Sequence, residues 1–230
     1  MSHEATTKTF DAWAAAGRDA EMEAEHGDVV RQVQARMQQM AGERILDLGC
    51  GNGWATRLLA RAAPGATAIG VDASPAMIER AEALHSFTIR ARYEVAAFEA
   101  LPFDDAKFER VFSMEAIYYA ADLEKALSEI ARVLVPGGRV DLVLDYHRDS
   151  PHTECWAAAM GVPVHWLSGD EWRAALERAG LVDVTVERVV DSRGPGSEAD
   201  FEPSHCYADF ATWKAIREAG SLWLSARKPD

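Results

Sequence analysis

The sequence is poor in cysteine. Its 230 residues include only three, Cys50, Cys155 and Cys206. They form no CxxC pair and do not have the spacing of a zinc site. An odd number of scattered cysteines is typical of a reducing compartment, where disulfides are rare. We therefore expect neither a disulfide framework nor a bound metal.

Long apolar runs are also absent. No stretch is long enough to span a bilayer, and no basic N-terminal region leads into a short apolar one. These absences predict a cytoplasmic protein that makes no membrane contact.

Basic residues are scarce relative to acidic ones. The chain has 24 Lys and Arg against 37 Asp and Glu, which gives a formal net charge of -13. Such a surface repels phosphate backbones, and the arginines form no run that would make a local basic patch. We therefore expect no nucleic-acid partner. The 48% hydrophobic content is enough for one sizeable core, which predicts one domain with extra elements over the substrate.

The most informative stretch is Ile-Leu-Asp-Leu-Gly-Cys-Gly-Asn-Gly at residues 45–53. It reads as a short apolar strand, followed by a loop with Gly49, Gly51 and Gly53, and then by a helix. Glycine lets the backbone turn tightly and lets a ligand approach closely. The spacing Gly-x-Gly-x-Gly after Asp47 differs from the Gly-x-Gly-x-x-Gly of dinucleotide-binding proteins.

From residue 44 the apolar pattern alternates between strands and helices. The predicted strands are residues 45–48, 68–71, 93–96, 108–113, 140–144, 182–190 and 222–226. The predicted helices are residues 54–63, one opened by Ser74 and Pro75, one from Asp122 to Leu134, 169–179 and 209–218. This alternation predicts a doubly wound α/β fold with a mostly parallel sheet and helices on both faces.

Three segments lie outside this alternation. Residues 1–43 have helical spacing and predict an N-terminal helical cap on the domain formed by residues 44–230, with breaks at Gly17 and Gly27. Residues 145–167 predict an irregular, substrate-covering insertion, and residues 191–207 predict a loop.

Four motifs occur in order along the chain. They are ILDLGCGNG at 45–53, GVDASPAMIERA at 70–81, ALPFDDAKFERVFSMEAIYY at 100–119 and LSEIARVLVPGGRVDLVL at 127–144. Together they resemble the class I S-adenosylmethionine-dependent methyltransferases, in the type 11 branch of quinone, sterol and small-molecule enzymes. The resemblance implies a Rossmann-like, seven-stranded sheet with an antiparallel last strand. It also implies S-adenosylmethionine as methyl donor and S-adenosylhomocysteine as product.

The resemblance also assigns cofactor-binding residues. It places Gly49, Gly51 and Gly53 against the methionine part, Asp47 near its amino group, Asp72 on the ribose, Ala73 and Met77 beside the adenine, and Ser113 and Met114 near the sulfonium. Ala97 occupies a position where the family often has an acidic residue that binds the adenine, so Phe98 would contact the ring instead. Asp72 as a helix cap and Met77 as a core residue are the alternative interpretations.

The catalytic residues are less clearly indicated. A sulfonium methyl is already activated, so a base is needed only if the acceptor loses a proton. The candidate proton acceptors are His147, the first choice because imidazole titrates near neutral pH, then His26, Glu115 and Tyr118. The candidate substrate-binding residues are Trp13, Tyr118, Tyr119, Tyr146 and His147, with Trp54, Trp156 and Trp166 as further aromatic candidates. For each polar candidate, an ordinary surface or helix-start role is the alternative.

These residues predict methyl transfer to a small-molecule acceptor. A protein that binds S-adenosylmethionine or S-adenosylhomocysteine without catalysis is the main alternative. A protein or nucleic-acid methyltransferase is less favoured, because the Asn/Asp-Pro-Pro-Tyr/Phe signature of base methylation is missing after the fourth strand. An arsenite methyltransferase would need Cys155 and Cys206 to converge. The sequence predicts neither the acceptor nor the oligomeric state.

Overall fold

A computed structural model describes residues 3–17, 19–204 and 207–230. Its centre is a seven-stranded sheet with the order β3-β2-β1-β4-β5-β7-β6. The strands are β1 (Arg44–Leu48), β2 (Thr67–Asp72), β3 (Ala91–Val95), β4 (Phe108–Met114), β5 (Leu134–Leu144), β6 (Val182–Val189) and β7 (Ser221–Arg227). Strand β7 is antiparallel to both neighbours and the other six strands are parallel to one another. The predicted fold is therefore confirmed.

Eight α-helices accompany the sheet in the described part of the chain. They are α1 (His3–Ala15), α2 (Asp19–Arg36), α3 (Trp54–Leu59), α4 (Pro75–Ala83), α5 (Leu123–Val133), α6 (Trp156–Met160), α7 (Gly169–Arg178) and α8 (Phe210–Ala219). Short 3₁₀ turns cover Ile117–Tyr119 and Glu198–Asp200. Within the described ranges, no helix combines the length and the apolar character needed to cross a membrane.

Local sequence explains where the helices begin. The Ser74 side chain accepts a hydrogen bond from the Met77 backbone, and Pro75 occupies the first turn of α4. Asp122 caps α5 in the same way through the Lys125 backbone. Helix α5 then buries one apolar face against the sheet, formed by Leu123, Ala126, Leu127, Ile130 and Val133.

A buried charged cluster attaches α2 to the sheet. Arg110 on β4 is paired with Glu43 and with Asp141 on β5, and all three side chains are buried. The Arg110 guanidinium also donates to the Met37 carbonyl, 2.9 Å away, directly after α2. The indole of Trp223 donates to the other oxygen of Asp141 at 2.9 Å. Because a buried pair is costly to break, this cluster holds the C-terminal end of α2 in one place on the sheet.

The structure corrects four details of the predicted elements. Gly27 lies inside α2, because the buried stripe of Val29, Val30 and Val33 outweighs the roughly 1 kcal/mol cost of glycine in a helix. Helix α3 ends at Leu59, before the predicted end at residue 63, and β5 begins at Leu134, six residues before the predicted start at residue 140. Residues 145–167 are not wholly irregular, since they contain α6.

Candidate active site

A cavity of about 420 Å³ opens at the carboxyl ends of β1, β2 and β4. Its floor is formed by the loops that follow these strands, and its walls by α1 and α2. Ligands of open parallel sheets bind at this edge. The cavity therefore lies where the sequence motifs predict the cofactor.

The glycine loop forms one end of the cavity. Gly49 has a φ of 72°, and a Cβ atom there would lie 2.2 Å from the Cβ of Ala116, so no other residue fits without movement. Gly51 also has a left-handed φ, 52°, but a Cβ atom there would meet no protein atom within 4 Å. Gly51 therefore leaves space that only a ligand would use.

Gly53 has a different role from the one predicted. It precedes α3 with a φ of 77°, and a Cβ atom there would lie 2.4 Å from the Tyr93 ring. It is not among the residues that line the cavity. Its conformation shapes the turn into the helix, so its contribution to a ligand is indirect.

Asp72 is held by backbone donors at the end of β2. Its two oxygens accept hydrogen bonds from Gly51 N at 3.0 Å and from Ser74 N at 2.9 Å. Burial raises the pKa of Asp72 to about 6, against the hydrogen bonds, which lower it. No Lys or Arg of the described residues pairs with this carboxylate. Further donors from a ligand, such as the two hydroxyls of a ribose, would fit its remaining lone pairs.

Asp47 lies deeper in the same end of the cavity. Thr56 Oγ1 donates to its carboxylate at 2.6 Å, and burial raises the pKa of Asp47 to about 7. Ala73, Met77, Ala97 and Phe98 line the neighbouring wall, as the resemblance implies. Sequence reasoning missed Cys50, Asn52 and Ala55, which line the cavity beside the predicted residues. Their positions within the first motif were the available signal.

The two residues at the end of β4 face different surroundings. Met114 lines the cavity, but the buried Ser113 does not, and its hydroxyl donates to the Leu48 carbonyl at 2.9 Å. Successive side chains of a strand point to opposite faces, so both residues could not face one ligand. The structure therefore places Met114, but not Ser113, against the cavity.

A polar cluster lies opposite the glycine loop. His26, Glu115 and Tyr118 line the cavity, and Tyr118 donates to Glu115 Oε2 at 2.8 Å. His26 Nδ1 lies 3.2 Å from Asp145 Oδ2, and the Asp145 backbone N–H donates to Glu115 Oε1. Glu115 has a φ of 50°, a strained conformation that a non-glycine residue adopts only where the structure enforces it.

Burial and charge shift the titration of this cluster. Burial and the neighbouring charge of Asp145 raise the pKa of Glu115 to about 8. Burial lowers the pKa of His26, but the hydrogen bond and charge of Asp145 outweigh it, with Glu115 and Glu25 adding to the increase. The net pKa of His26 is therefore above its ordinary value. The pKa of Asp145 is lowered, because its interactions with His26 and Ser221 outweigh burial, which raises it.

His147 is not a cavity residue. It is fully buried, and its ring Nε2 lies 2.6 Å from Nη1 of Arg188 on β6. Burial and the Arg188 charge lower the pKa of His147 to about 4. Tyr146 is also outside the cavity, stacked on Trp156 with ring centroids 5.9 Å apart. The structure thus places both residues outside the cavity, away from the other predicted catalytic and substrate-binding residues.

Aromatic side chains form the wall beside the polar cluster. Trp13 and Tyr119 line the cavity with Phe10, whose ring makes edge-on contacts to Trp13 at 5.1 Å and to Tyr119 at 4.9 Å. Trp54 and Trp156 line it too, but Trp166 does not. Sequence reasoning missed further lining residues, because their side chains converge only in the folded chain. These are Thr6, Thr7, Phe10, Glu21, Met22, Glu25, Ala116, Ser204 and Tyr207.

The remaining candidates lie elsewhere. Cys155, one of the two cysteines that an arsenite methyltransferase would need, is exposed and does not line the cavity, and the other, Cys206, lies outside the described residues. In the described part of the chain, no group of three or more His, Cys, Asp or Glu side chains is arranged to hold a metal.

Known proteins share this architecture. Residues 45–138 match the family model described as a methyltransferase domain. The O-methyltransferase resE of Aspergillus sclerotiorum is 33% identical over 175 residues, which cover 74% of this chain and 66% of that protein. Tocopherol O-methyltransferase of Arabidopsis thaliana is 38% identical over 110 residues, 46% of this chain and 31% of that protein. The matched part thus spans about two thirds or less of these curated relatives.

A solved structure matches almost the whole chain. It comes from a complex between the Haloferax volcanii Trm112 methyltransferase activator and a protein described as a methyltransferase. The match has a TM-score of 0.87 and 34% identity, and covers 96% of this chain and 98% of the other. A Mesorhizobium loti S-adenosylmethionine-dependent methyltransferase, with 22% identity and a TM-score of 0.67 over 88% of this chain and 99% of that one, shares the fold. The chain belongs to the class I S-adenosylmethionine-dependent methyltransferases, in the type 11/25 group.

Proposed function

We propose that this protein transfers a methyl group from S-adenosylmethionine to a small-molecule acceptor inside the 420 Å³ cavity. The observation that carries the proposal is the composition of the cavity. One end is made of glycine turns and a buried carboxylate, and the other of aromatic side chains with a polar cluster. The relatives named O-methyltransferases support a hydroxyl group as the acceptor.

The glycine-loop end would hold the cofactor. Gly49 and Gly51 provide close backbone approach for the methionine part, with Asp47 near its amino group, and Asp72 accepts hydrogen bonds from the ribose. Ala73, Met77, Ala97 and Phe98 would pack against the adenine, and Met114 lies toward the sulfonium. Gly53 and Ser113 would support these residues without contact. When bound, the cofactor supplies an electrophilic methyl group.

The aromatic end would hold the acceptor. Trp13, Tyr118 and Tyr119 enclose the space beside the polar cluster. This enclosure would exclude water and orient the acceptor. Orientation supplies much of the acceleration in a displacement reaction of this kind. The cavity has a volume of about 420 Å³ between the edge of the sheet and helices α1 and α2, which suits a small molecule rather than a long polymer.

A labelled-methyl assay tests the proposal against the non-catalytic alternative. The protein is incubated with methyl-labelled S-adenosylmethionine and the small-molecule fraction of cell extracts. We expect a labelled product together with an equal amount of S-adenosylhomocysteine. Tight binding of S-adenosylhomocysteine without any labelled product would favour a protein that binds the cofactor and transfers nothing.

We also propose a protein partner of the activator type. The Haloferax volcanii structure is a complex with such an activator. In this chain, β3 is an edge strand paired only with β2. Its last residue, Val95, is an exposed apolar residue, as are Leu84 and Phe87 in the segment before the strand. An unpaired edge strand with exposed apolar side chains is a surface on which another protein can add a strand.

Co-expression with the Haloferax volcanii Trm112 protein tests this surface. We expect the two proteins to copurify, and Phe87→Asp to reduce the recovered complex at least tenfold. Met40→Asp is the matched control, because Met40 is also an exposed apolar residue but lies outside this edge. Equal recovery with wild type, Phe87→Asp and Met40→Asp would contradict the proposed surface.

A further inference from the structure

His26 lines the cavity, and Asp145, from a different element, contacts it from outside the lining. His26 lies on α2, whose C-terminal end is attached to β4 through Arg110, and Asp145 directly follows β5. The Asp145 carboxylate contacts His26 Nδ1 with one oxygen, at 3.2 Å, and accepts the Ser221 hydroxyl with the other. Asp145 therefore holds Nδ1, which leaves Nε2, 3.7 Å from the exposed Glu25 carboxylate, as the nitrogen for proton transfer.

His26 is better placed to accept a proton than the other polar residues of the cluster. Glu115 accepts hydrogen bonds from Tyr118 and from the Asp145 backbone, and burial raises its pKa to about 8, so it is mostly protonated at neutral pH. The Tyr118 hydroxyl donates a hydrogen bond to Glu115. Burial raises the pKa of Tyr118 well above its ordinary value. His147, the first choice from the sequence, is outside the cavity.

The charges of the cavity restrict the acceptor. No lysine or arginine is found among the described residues that line it, whereas Glu21, Glu25 and Glu115 do line it. A carboxylate or phosphate on the acceptor would add negative charge beside Glu115 and the carboxylate of the cofactor, with no lysine or arginine of the described lining to offset it. The aromatic wall of Trp13 and Tyr119 instead suits an uncharged, apolar molecule.

We propose that His26, positioned by Asp145, is the general base that removes the proton from a hydroxyl group of an uncharged acceptor. This inference rests on the proposed methyl transfer. The acceptor oxygen forms the new O–CH₃ bond as the S–CH₃ bond breaks, and the electron pair of the broken bond stays on sulfur. The hydroxyl proton moves to Nε2 of His26, and the negative charge of Asp145 stabilises the resulting imidazolium before the proton passes to water.

The proposal predicts a pH dependence with a defined direction. Asp145, Glu115 and Glu25 face His26, and Arg217 contributes a positive charge near Asp145. The neutral imidazole is the active form, so turnover should be lost as the pH falls through the pKa of His26. Removing the Asp145 charge should move this acidic limb to lower pH, a shift that simple loss of packing would not produce.

Proton NMR of the histidine rings tests the placement without an acceptor. The His26 signal is assigned by its loss in His26→Gln and titrated with saturating S-adenosylhomocysteine or S-adenosylmethionine. The sulfonium charge should lower the pKa of a nearby His26 by about one unit relative to the uncharged product. The exposed His152 serves as the internal reference in both samples. An unchanged His26 pKa would overturn the placement.

An activity assay tests the base and the acceptor class together. The probes are a panel of uncharged phenols and secondary alcohols, each with a carboxylated counterpart. We expect transfer to uncharged members, with kcat/KM at least tenfold lower for their counterparts. His26→Gln should lower kcat by about 10²- to 10⁴-fold. His147→Gln, the matched control outside the cavity, should change kcat by less than about threefold. Asp145→Asn should lower kcat and shift the acidic limb.

The outcomes separate this inference from the proposed function. If wild type does not bind S-adenosylhomocysteine in calorimetry, the proposed function itself is wrong. If binding is intact in His26→Gln but kcat is unchanged, His26 is not the base. Transfer to no uncharged member, or equal transfer to the carboxylated counterparts, would overturn the acceptor class.

Discussion

The two ends of the cavity are built in different ways. The cofactor end consists largely of backbone: glycine turns with left-handed φ values, N–H groups that fix Asp72, and short loops at the ends of β1 and β2. The acceptor end consists of side chains from α1, α2, the turn after β4 and the segment near Ser204 and Tyr207. Backbone constraints allow few residue types at a position, whereas an aromatic wall can be built from many combinations. We therefore expect substitutions to have larger and more specific effects at the cofactor end.

The largest effect should come from Gly49→Ala. The added Cβ atom would lie 2.2 Å from the Cβ of Ala116 at a φ of 72°, so the loop must move. We expect a loss of at least about 3 kcal/mol of unfolding free energy, or no folded protein. Thermal and chemical unfolding measure this loss.

Gly51→Ala is the matched control for Gly49→Ala. Its Cβ atom would meet no protein atom within 4 Å. The unfolding free energy should therefore fall only by the cost of a left-handed backbone conformation for alanine, about 1 kcal/mol. The same Cβ atom projects where a ligand approaches and should weaken S-adenosylhomocysteine binding at least tenfold. Equal stability losses in the two variants would contradict the difference between the two glycines.

A larger share of the residues predicted for the cofactor end than of those predicted for the acceptor end lines the cavity. Gly49, Gly51, Asp47 and Asp72 are recognisable because strand, turn and helix cap each restrict the residue types locally. The positions of His26 and His147 depend on long-range packing. The sequence predicts a helical segment for His26 and an irregular one for His147. Only the folded chain shows that His26 lines the cavity and that His147 contacts Arg188.

The pH dependence of cofactor binding should be the next largest effect. Because Asp72 has a pKa of about 6 in the folded chain, it is neutral below this pH and cannot accept both ribose hydroxyls. Calorimetry should show full S-adenosylhomocysteine affinity above pH 6 and a fall of up to about tenfold per pH unit below it. An affinity that stays constant from pH 7 to pH 5 would contradict the assignment.

The stability of the ligand-free protein should change in the opposite direction from cofactor affinity, because it should fall as the pH rises. The folded pKa values of Asp72, about 6, and Asp47, about 7, exceed the ordinary value of 3.8. The folded chain therefore binds more protons than the unfolded chain between these values, and the contribution of both groups to stability falls as the pH rises from 4 to 7. Asp72→Asn should reduce this loss, measured by chemical unfolding at several pH values. An identical pH dependence in Asp72→Asn and wild type would argue against the buried carboxylate as its source.

At the acceptor end, Trp13→Ala should separate the two halves of the cavity. Removing an indole from the wall should raise KM for an acceptor about tenfold or more, through lost apolar contact. The affinity for S-adenosylhomocysteine should change by less than about threefold. A large loss of cofactor affinity would show that α1 covers the cofactor rather than the acceptor.

The smallest expected effect is a gain. Ala97 lines the cavity at the position where related sequences often carry an acidic residue. Ala97→Asp should add one hydrogen bond to the adenine and tighten S-adenosylhomocysteine binding by about threefold to tenfold. Ala97→Ser is the conservative comparison. Weaker binding in Ala97→Asp would show that the Phe98 wall is already complete without a polar group.

Calorimetric titration of S-adenosylhomocysteine into wild type and Asp72→Ala tests the central claim most directly. The account predicts one site per chain in wild type, and binding weakened at least about 100-fold in the variant, because two hydrogen bonds to a charged group are lost. Asp105→Ala, at an exposed carboxylate paired with Arg132, should bind like wild type. Equal affinity in wild type and Asp72→Ala would contradict the assignment of this cavity to the cofactor.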